Sequence, residues 1–387
     1  MKRNPYYQLR YFANVPYLVT FGQGHADFLH DLQLNDTGVF LWEHLEEVAS
    51  PEQLAELCLA HFQCSQEQQA TMESVVEDFV GGLLSRGILL ADAREPSCPY
   101  GKRILEIAGL SCCVHAPANL FSPEMLAFEV ADSNVTNTPV QNIYTVTESP
   151  SFTENGQVLV RTAQLTILEN ENKYMLFFPS FSKVREAHIR KDGSTASIYC
   201  AADVSEVDTG EFSYAVRMLF FYFALQHRVV ALHSASILYN NRLWLFSAPS
   251  GTGKSTHTNL WKELFQTPII NGDINLITLQ HGQPTVCGNP WHGTSGIFDT
   301  RDYPLGGVIL LKQGSQNIVT NLTKDQKELF LLHRCITPTW TSALLDKNHD
   351  IIKKICPHIH VTTLTCTQNT SAVHCCKEAI DQCSMQK

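Results

Sequence analysis

The chain has 387 residues, of which 44% are hydrophobic and 17% are charged, and its formal net charge is −10. This length and composition predict a globular protein with two or three domains. The acidic balance and the lack of a basic stripe argue against general nucleic-acid binding, because neutralising phosphates requires clustered Lys and Arg.

Targeting and membrane signals are not evident in the sequence. The N-terminal stretch, MKRNPYYQLRYF, lacks the apolar core of a signal peptide, and the most apolar segment, residues 214–225, is too short to span a bilayer. Thirteen cysteines without a secretory signal are typical of reduced thiols. We therefore expect a cytoplasmic protein that does not enter a membrane, and the sequence leaves homo-oligomerisation open.

The first 92 residues combine strand and helix signals in a small domain. Asn35 or Asp36 caps a first helix, Ser50 and Pro51 begin a second, and Gly87 ends a third. The predicted elements, in order, are strands over 15–21 and 28–34 joined by a glycine-containing turn, helices beginning near 36 and 51, a helix containing 72–83, and a strand over 88–90. This order is winged-helix-like.

The phrase LNDTGVFLWE at residues 34–43 and the helical block ending at Ile88 resemble the PqqD family. The resemblance covers roughly residues 9–91. These are the peptide chaperones of pyrroloquinoline-quinone biosynthesis and the related recognition elements of modified-peptide (RiPP) pathways. In that family a leader peptide adds a strand to the edge of the ribbon and packs on the third helix. The resemblance implies that residues 1–92 bind a peptide or small-protein substrate; a structural or dimerising module and a DNA-binding domain are the alternatives.

A second region follows a linker over residues 93–100, which contains two prolines and no periodicity. Short strand-like runs separated by polar turns then predict a β-rich part over residues 101–207, made mostly of antiparallel sheet. The runs are Arg103–Ala108, Val158–Arg161, Leu165–Leu168, Tyr174–Phe178 and Ser197–Cys200. A strongly apolar helix over 208–226 opens a nucleotide-binding core over residues 208–387. The whole of 101–387 is predicted to be one ATP-binding domain.

The most specific motif, SAPSGTGKST, occupies residues 247–256. It lies between an apolar strand-like run and apolar positions at helical spacing, which is the context of a phosphate-binding loop. Gly251 and Gly253 free backbone N–H groups to cradle phosphate oxygens, Lys254 adds charge on the outer phosphates, and the Ser255 hydroxyl is placed to ligate Mg²⁺. The predicted ATP-binding residues are Ser250, Gly251, Thr252, Gly253, Lys254, Ser255 and Thr256. Ala248 replaces the usual first glycine, and a chance Gly/Ser turn is the alternative.

A strand over 268–270 then delivers Asp273, where a P-loop enzyme needs a carboxylate to hold Mg²⁺. With His233 just upstream, the region 230–312 resembles HPr kinase/phosphorylase and, more distantly, ATP-dependent phosphoenolpyruvate carboxykinase. The resemblance extends weakly over 100–380. It implies a P-loop kinase fold that is α/β in its core and α+β overall, with a β-rich extension and with ATP and Mg²⁺ as cofactors.

One acid of that family's aspartate pair is missing. In one register Asp273 is the metal-binding second acid and Gly272 stands in place of the general base; in the other, Asp273 is the base and the second acid is lost. His233 is then the best remaining base, because imidazole titrates near neutrality. A structural histidine that orients the loop is the alternative.

A second glycine-rich loop over residues 288–296 precedes Arg301. Arg301 is a candidate clamp on a transferring phosphate, since a guanidinium presents several donors in one plane. His292, within the loop, is a candidate for meeting the acceptor. An ordinary surface loop is the alternative for both residues.

These features predict an ATP- and Mg²⁺-dependent kinase that phosphorylates a hydroxyl of a peptide or small protein in a modified-peptide pathway. The predicted catalytic residues are His233, Lys254, Asp273 and Arg301, and the predicted metal ligands are Ser255 and Asp273. A small-metabolite kinase with a structural N-terminal domain and a nucleotide-binding adaptor without transfer activity are the alternatives.

Overall fold

The computed structural model describes residues 2–4, 6–22, 31–48, 50–63, 68–85, 88–90, 98–132, 138–147, 156–201, 203–249 and 251–385. Two compact units divide the chain, one holding the described residues up to Leu90 and the other those from Cys98 onward. Apart from residues 98–100, the predicted linker lies outside the described residues. In the described part of the chain, every helix is too short or too polar to cross a membrane.

The first unit packs three helices against short antiparallel strands. Its elements are β1 (Lys2–Arg3), β2 (Tyr7–Phe12), β3 (Val15–Thr20), β4 (Leu32–Gln33), α1 (Asp36–His44), α2 (Pro51–His61), α3 (Gln69–Ser85) and β5 (Leu89–Leu90). The strands β2, β3 and β4 form one sheet, and β1 pairs with β5. The predicted caps are confirmed, since the Asn35 side chain accepts from the Gly38 N–H at 2.7 Å and Ser50 accepts from Gln53 at 3.4 Å.

The predicted strand over 15–21 is β3 and pairs antiparallel with β4, but the sequence did not predict β2, which pairs with the other edge of β3. Tyr7–Phe12 pairs with Val15–Thr20 across Ala13 and Asn14, whose φ angles are 50° and 64°. Two positive φ angles define a tight hairpin turn of the primed type, but Ala-Asn lacks the glycine that usually marks one. Within the described residues the strand predicted over 28–34 is only β4. The turn glycine Gly24 and the predicted helix end at Gly87 lie outside the described residues.

The second unit begins with a large mixed sheet. Its elements are β6 (Lys102–Ile107), β7 (Leu110–His115), α4 (Pro123–Leu126), β8 (Glu129–Val130), β9 (Val140–Val146), β10 (Gln157–Arg161), β11 (Thr166–Glu169), β12 (Lys173–Phe177), β13 (Val184–Arg190) and β14 (Thr195–Cys200). The strand order is β10-β11-β12-β13-β14-β9-β7-β6-β8. Only β9 pairs in parallel, with β14 and β7, so the predicted mostly antiparallel sheet is confirmed in the described region.

The helix α5 (Thr209–Gln226) joins this sheet to the second one. It begins at Asp208, whose carboxylate accepts from the Glu211 N–H at 3.0 Å, and its side chains Phe212, Leu219 and Phe220 are fully buried. One apolar cluster contains residues of the first sheet, α5 and the second sheet. The predicted burial of this helix on most of its faces is therefore confirmed.

The second sheet carries the nucleotide motif. Its elements are β15 (Val230–His233), β16 (Ala235–Tyr239), β17 (Arg242–Ser247), α6 (Lys254–Phe265), β18 (Ile269–Asn271), β19 (Ile274–Gln280), β20 (Gln283–Cys287), β21 (Tyr303–Gln313), β22 (Ile318–Asn321), α7 (Lys324–Leu332), α8 (Ser342–Ile355), β23 (His360–Cys366) and α9 (Thr370–Met385). The strand order is β15-β19-β20-β21-β17-β16-β18, with β23 beside β21 and β22 beside β23.

Strand directions bring the motif residues to one edge of this sheet. β16 is antiparallel to both β17 and β18, so β17 and β18 run in the same direction and end at the same edge. β17 leads into the residue 247–256 motif, and β18 leads into Asp273. His233, the last residue of β15, pairs with Ile274 directly after Asp273. The topology therefore places His233, Asp273 and the start of α6 near one another.

Candidate active site at the end of β17

The loop between β17 and α6 depends on two left-handed glycines. Gly251 has a φ of 75° and Gly253 a φ of 106°, whereas the space where a Cβ would project from each is open. The backbone conformation, rather than packing, thus requires glycine at both positions. Gly253 is the N-cap of α6 and offers no side chain to the first amides of the helix, which leaves them available to an anion. Ser250, another predicted binding residue, lies outside the described residues.

The lysine of the motif points back along the loop. Its Nζ donates to the carbonyl of the buried Ala248 at 3.2 Å, and the Thr252 hydroxyl donates to the Pro249 carbonyl at 2.8 Å. Ala248 therefore takes the place of the usual glycine without disrupting the loop. Burial lowers the pKa of Lys254, and the nearby positive charge of Arg334 lowers it too, while the negative charge of Asp273 opposes both.

The His233 and Asp273 side chains are in contact, with 3.2 Å between Nε2 and Oδ1. The backbone fixes both residues, because the Ser234 N–H donates to the Asp273 carbonyl at 2.9 Å and the Ser247 hydroxyl donates to the His233 carbonyl at 2.7 Å. The hydrogen bond from His233 is the largest influence on Asp273 and lowers its pKa; the charges of Lys254 and Arg217 act in the same direction, against the effect of burial. Asp273 is therefore a carboxylate at neutral pH.

A buried asparagine shapes the turn that presents Asp273. The Asn271 Oδ1 accepts from the Asp273 and Ile274 N–H groups, both at 2.9 Å, and its Nδ2 donates to the Trp291 carbonyl at 3.0 Å. Asn271 is 3% exposed, so these bonds satisfy a side chain that water does not reach. The position of Asp273 is consequently fixed by the sheet and not by a free loop.

Two cations act on this carboxylate, and a third acts on one of them. Lys254 and Arg217 both act electrostatically on Asp273, and Arg334 acts on Lys254. The Arg217 guanidinium lies over the Tyr214 ring at 4.5 Å. The Nε atoms of Arg217 and Arg334 are buried, and within the described residues neither has a hydrogen-bond partner. Lys254 and Arg217 thus give this carboxylate a positively charged surrounding in a chain whose net charge is −10.

The second glycine-rich loop packs directly on the Asp273 turn. A Cβ built on Gly272 would lie 2.3 Å from the Ser295 Oγ, and one built on Gly293 would lie 2.7 Å from the Asp273 Oδ2. No side chain fits at either position without displacing the other segment. The loop is closed on itself, because the Ser295 hydroxyl donates to the His292 carbonyl at 2.7 Å and the Gly296 N–H donates to His292 Nδ1 at 3.1 Å.

The remaining predicted residues differ in what they contact. Arg301 forms a two-point ion pair with Asp299, at 2.7 and 3.1 Å, and this hydrogen bonding is the main cause that lowers the pKa of Asp299 to about 2. Among its described contacts, none is with His233, Lys254 or Asp273. The structure therefore commits the guanidinium of Arg301 to Asp299. Ser255 and Thr256 are exposed in the first turn of α6.

The donor atoms suit a hard cation. The Asp273 carboxylate and the Ser255 hydroxyl supply oxygen ligands, which Mg²⁺ prefers. Within the described ranges, no group of three or more His, Cys, Asp or Glu side chains could hold a metal ion. An ion at this position would thus need further oxygens from bound phosphates or water, which is the usual arrangement at nucleotide sites.

Sequence reasoning did not assign a role to Arg217 or Arg334. Arg217 carried a signal, since it is a lone charge within the apolar run of residues 214–225. A charged residue in such a helix needs a partner, so it marks a candidate site. Arg334 carried no comparable signal, because it follows α7 in an unremarkable polar stretch and reaches Lys254 only through the fold.

Comparisons with known proteins concern different parts of the chain. Residues 30–89 match the family model of coenzyme PQQ synthesis protein D, PqqD. This match confirms the predicted resemblance of the first unit to that family. A solved structure of the Hpr(Ser) kinase/phosphatase from Coxiella burnetii is 8% identical, covers 41% of this chain and 99% of its own, and has a TM-score of 0.25. A similarity at this level does not establish a shared fold. Comparison with curated proteins gives no match.

Proposed function

We propose that the chain is an ATP- and Mg²⁺-dependent kinase that phosphorylates a hydroxyl of a peptide or small protein in a modified-peptide pathway. The single observation that carries this proposal is the uncapped N-terminus of α6 behind the left-handed Gly251 and Gly253, with Lys254 in its first turn and Asp273 acting on that lysine. A triphosphate is the class of ligand that such a lysine and a free helix N-terminus favour.

In the proposed reaction the acceptor hydroxyl oxygen attacks the γ-phosphorus of ATP. The bond between that phosphorus and the β,γ-bridging oxygen breaks, and ADP leaves. His233, oriented by its hydrogen bond to Asp273, takes the proton of the hydroxyl. Lys254 and the two arginines stabilise the negative charge on the outer phosphates. Ser255 and Asp273 would hold Mg²⁺, which, when bound, neutralises charge on the β- and γ-phosphates.

The first unit is the proposed recognition domain. Its match to the PqqD family and its order of a β2–β3 ribbon, three helices and a closing strand support a winged-helix-like peptide-binding role for residues 1–92. The peptide would add a strand to the ribbon and pack on α3, as the resemblance implies. We propose that this domain delivers the acceptor to the nucleotide site.

The test combines ATP consumption with mass spectrometry of a leader-bearing peptide encoded beside this protein and co-expressed with it. Lys254→Ala is expected to slow phosphate transfer about a hundredfold, because one preorganised cation is lost from the charged transition state. Lys262→Ala is the matched control, since Lys262 is an exposed lysine in the last turn of the same helix. Equal ATP consumption by wild type and Lys254→Ala would remove this loop from catalysis.

One observation favours a second candidate, a nucleotide-binding adaptor without transfer activity. In the register that makes Asp273 the metal-binding acid, the missing acid falls at Gly272, and Ser295 leaves no space for a carboxylate there. Tight ATP binding without phosphate gain in any offered acceptor would support the adaptor. A phosphorylated peptide that disappears with His233→Asn would exclude it.

A further inference from the structure

A cleft of about 420 Å³ opens within the first unit. Its walls are the turn end of the β2–β3 ribbon, one face of α1, and the end of α2. Six residues give it its character: Tyr11, Asp36, Phe40, Glu43, His61 and Phe62. The cleft involves the first two helices, whereas the peptide mode that the PqqD resemblance implies uses a strand edge and the third helix. It is therefore a separate feature of this unit.

Aromatic rings form the floor of this cleft. Phe40 stacks on the His44 and His61 rings, with centroids 4.2 and 4.1 Å away, and meets the edge of Phe62 at 5.6 Å. Tyr11, on the opposite wall, is 58% exposed. The two imidazoles cover the faces of Phe40, so the rings open to a ligand are Phe62 and Tyr11. Rings that are held in place by stacking lose little conformational entropy when a ligand packs on them.

Two carboxylates complete the cleft. Asp36 and Glu43 lie seven residues apart on α1, so they share one face about 10 Å apart along the helix axis. Both side chains are exposed, and neither has an ion-pair partner in the part of the chain that the structure describes. Among the described residues, the lining has the imidazoles of His44 and His61 but no Lys or Arg. The cleft is consequently acidic as well as aromatic.

We propose that this cleft binds a Lys or Arg side chain of a peptide, with an aromatic or aliphatic neighbour on the exposed ring of Phe62. A guanidinium or ammonium gains both from the carboxylates and from the aromatic faces, and Arg gains more because its plane stacks. The proposal rests on the proposed peptide-recognition function of residues 1–92 and adds the chemistry of the peptide. Anionic ligands such as phosphates are disfavoured by Asp36 and Glu43.

The β2 edge of the ribbon leads to this cleft, so a peptide that pairs with β2 could also occupy it. Tyr11 belongs to β2, which among the described strands pairs only with β3 and so offers a free edge. A peptide strand laid along β2 would reach the cleft at Tyr11, near the turn formed by Ala13 and Asn14. Backbone pairing would then supply affinity, and the cleft would select a basic side chain.

The experiment measures peptide binding to the full chain without nucleotide. A library of random twelve-residue peptides is selected on the protein, and a recovered peptide is resynthesised with citrulline in place of Arg, or norleucine in place of Lys. Enrichment of Lys or Arg is expected in the recovered pool, and the neutral peptide should bind about tenfold more weakly. The double variant Asp36→Asn/Glu43→Gln should lose the same factor for the basic peptide and nothing for the neutral one.

Two controls keep the outcome readable. Glu47→Gln removes an exposed carboxylate just beyond α1 and outside the cleft, and it should leave binding unchanged. Glu43→Gln alone, which spares the first turn of α1, covers the case in which the double variant unfolds, as a thermal melt would reveal. A pool without basic enrichment, no recovered peptide, or equal binding by wild type and Glu43→Gln would overturn the proposal. Because no ATP is present, a failure of the kinase assignment leaves this result intact.

Discussion

Gly272 has no room for the carboxylate that the kinase resemblance would place there, because Ser295 packs directly against its Cα. The loss of this acid is therefore coupled to the presence of a loop that closes over the same position. The same loop contacts the Asp273 carboxylate through Gly293. The proposed kinase site would therefore use one carboxylate, His233 and nearby cations, because Ser295 occupies the space that a side chain at position 272 would need.

Gly272→Asp is expected to destabilise the second unit by about 1–3 kcal/mol, since a new side chain must displace Ser295. Chemical denaturation monitored by circular dichroism measures the free energy of unfolding. The double variant Gly272→Asp/Ser295→Gly should recover most of the loss, because it removes the colliding hydroxymethyl group. Gly101→Asp is the matched control: a Cβ there meets no atom within 4 Å, so stability should hardly change. A Gly272→Asp variant as stable as the control would contradict this packing.

Arg217 and Arg301 illustrate how one residue type takes different roles. Arg301 is exposed and engaged by Asp299, whereas Arg217 is half-buried on an apolar helix and acts on Asp273. The sequence favoured Arg301 as the candidate phosphate clamp, because it follows a glycine-rich loop. Burial and charge favour Arg217, because a cation held in a region of low dielectric interacts more strongly with phosphate.

At the scale of elements, the sequence predicted the features that depend on neighbouring residues, such as helix caps. The caps at Asn35 and Ser50 are determined by adjacent residues, and both were predicted correctly. The strand–loop–helix order around residues 247–256 was also predictable, for the same reason. Pairing of β2 with β3 was missed because an Ala-Asn turn carries little local signal.

Contacts between segments that are distant in the chain could not be predicted from the sequence. The collision between Gly272 and Ser295 and the approach of Arg334 to Lys254 each join different elements. Such contacts depend on strand order and packing, which no residue spacing encodes. The cleft of the first unit belongs to the same group, because it needs β2 in its actual position.

Within α6, His257 makes the stability of the fold depend on pH. It is buried in the first turn, accepts a hydrogen bond from the Trp261 indole at 3.2 Å, and burial lowers its pKa to about 4 from an ordinary value of 6.5. Between these values the unfolded state binds a proton that the folded state does not. Stability is therefore full above pH 6.5 and falls as the pH drops toward 4, by about 3 kcal/mol for this difference in pKa.

Unfolding free energies of wild type and His257→Gln between pH 4 and 7 test this pH dependence. The stability advantage of wild type should shrink as the pH falls, since glutamine does not titrate. His333→Gln, a substitution of an exposed histidine after α7, should leave the pH dependence unchanged. Parallel pH curves for wild type and His257→Gln would show that this imidazole titrates alike in both states.

At the scale of the whole molecule, charge is unevenly used. The chain has a net charge of −10, yet Lys254 and Arg217 lie at the proposed nucleotide site, whereas Asp36 and Glu43 line the cleft of the first unit. Two sites of opposite charge suit two ligands of opposite charge, a triphosphate and a basic peptide. A single recognition surface for both is disfavoured, because each site repels the other ligand.

The two units have separate apolar cores, and we expect them to unfold as separate transitions. Leu41 belongs to the core of the first unit and Leu245 to that of the second; they are 1% and 0% exposed. Leu41→Ala and Leu245→Ala should each lower the free energy of unfolding of one unit by about 2–5 kcal/mol. Each variant should therefore lower the midpoint temperature of one of the two transitions in a thermal scan. ATP with Mg²⁺ should stabilise only the unit whose transition Leu245→Ala lowers. At an ATP concentration a hundred times its dissociation constant, the free energy of unfolding of that unit should rise by about 2.7 kcal/mol. A basic peptide should stabilise only the other unit. If ATP raised the transition that is sensitive to Leu41→Ala, the nucleotide site would have to be sought in the first unit.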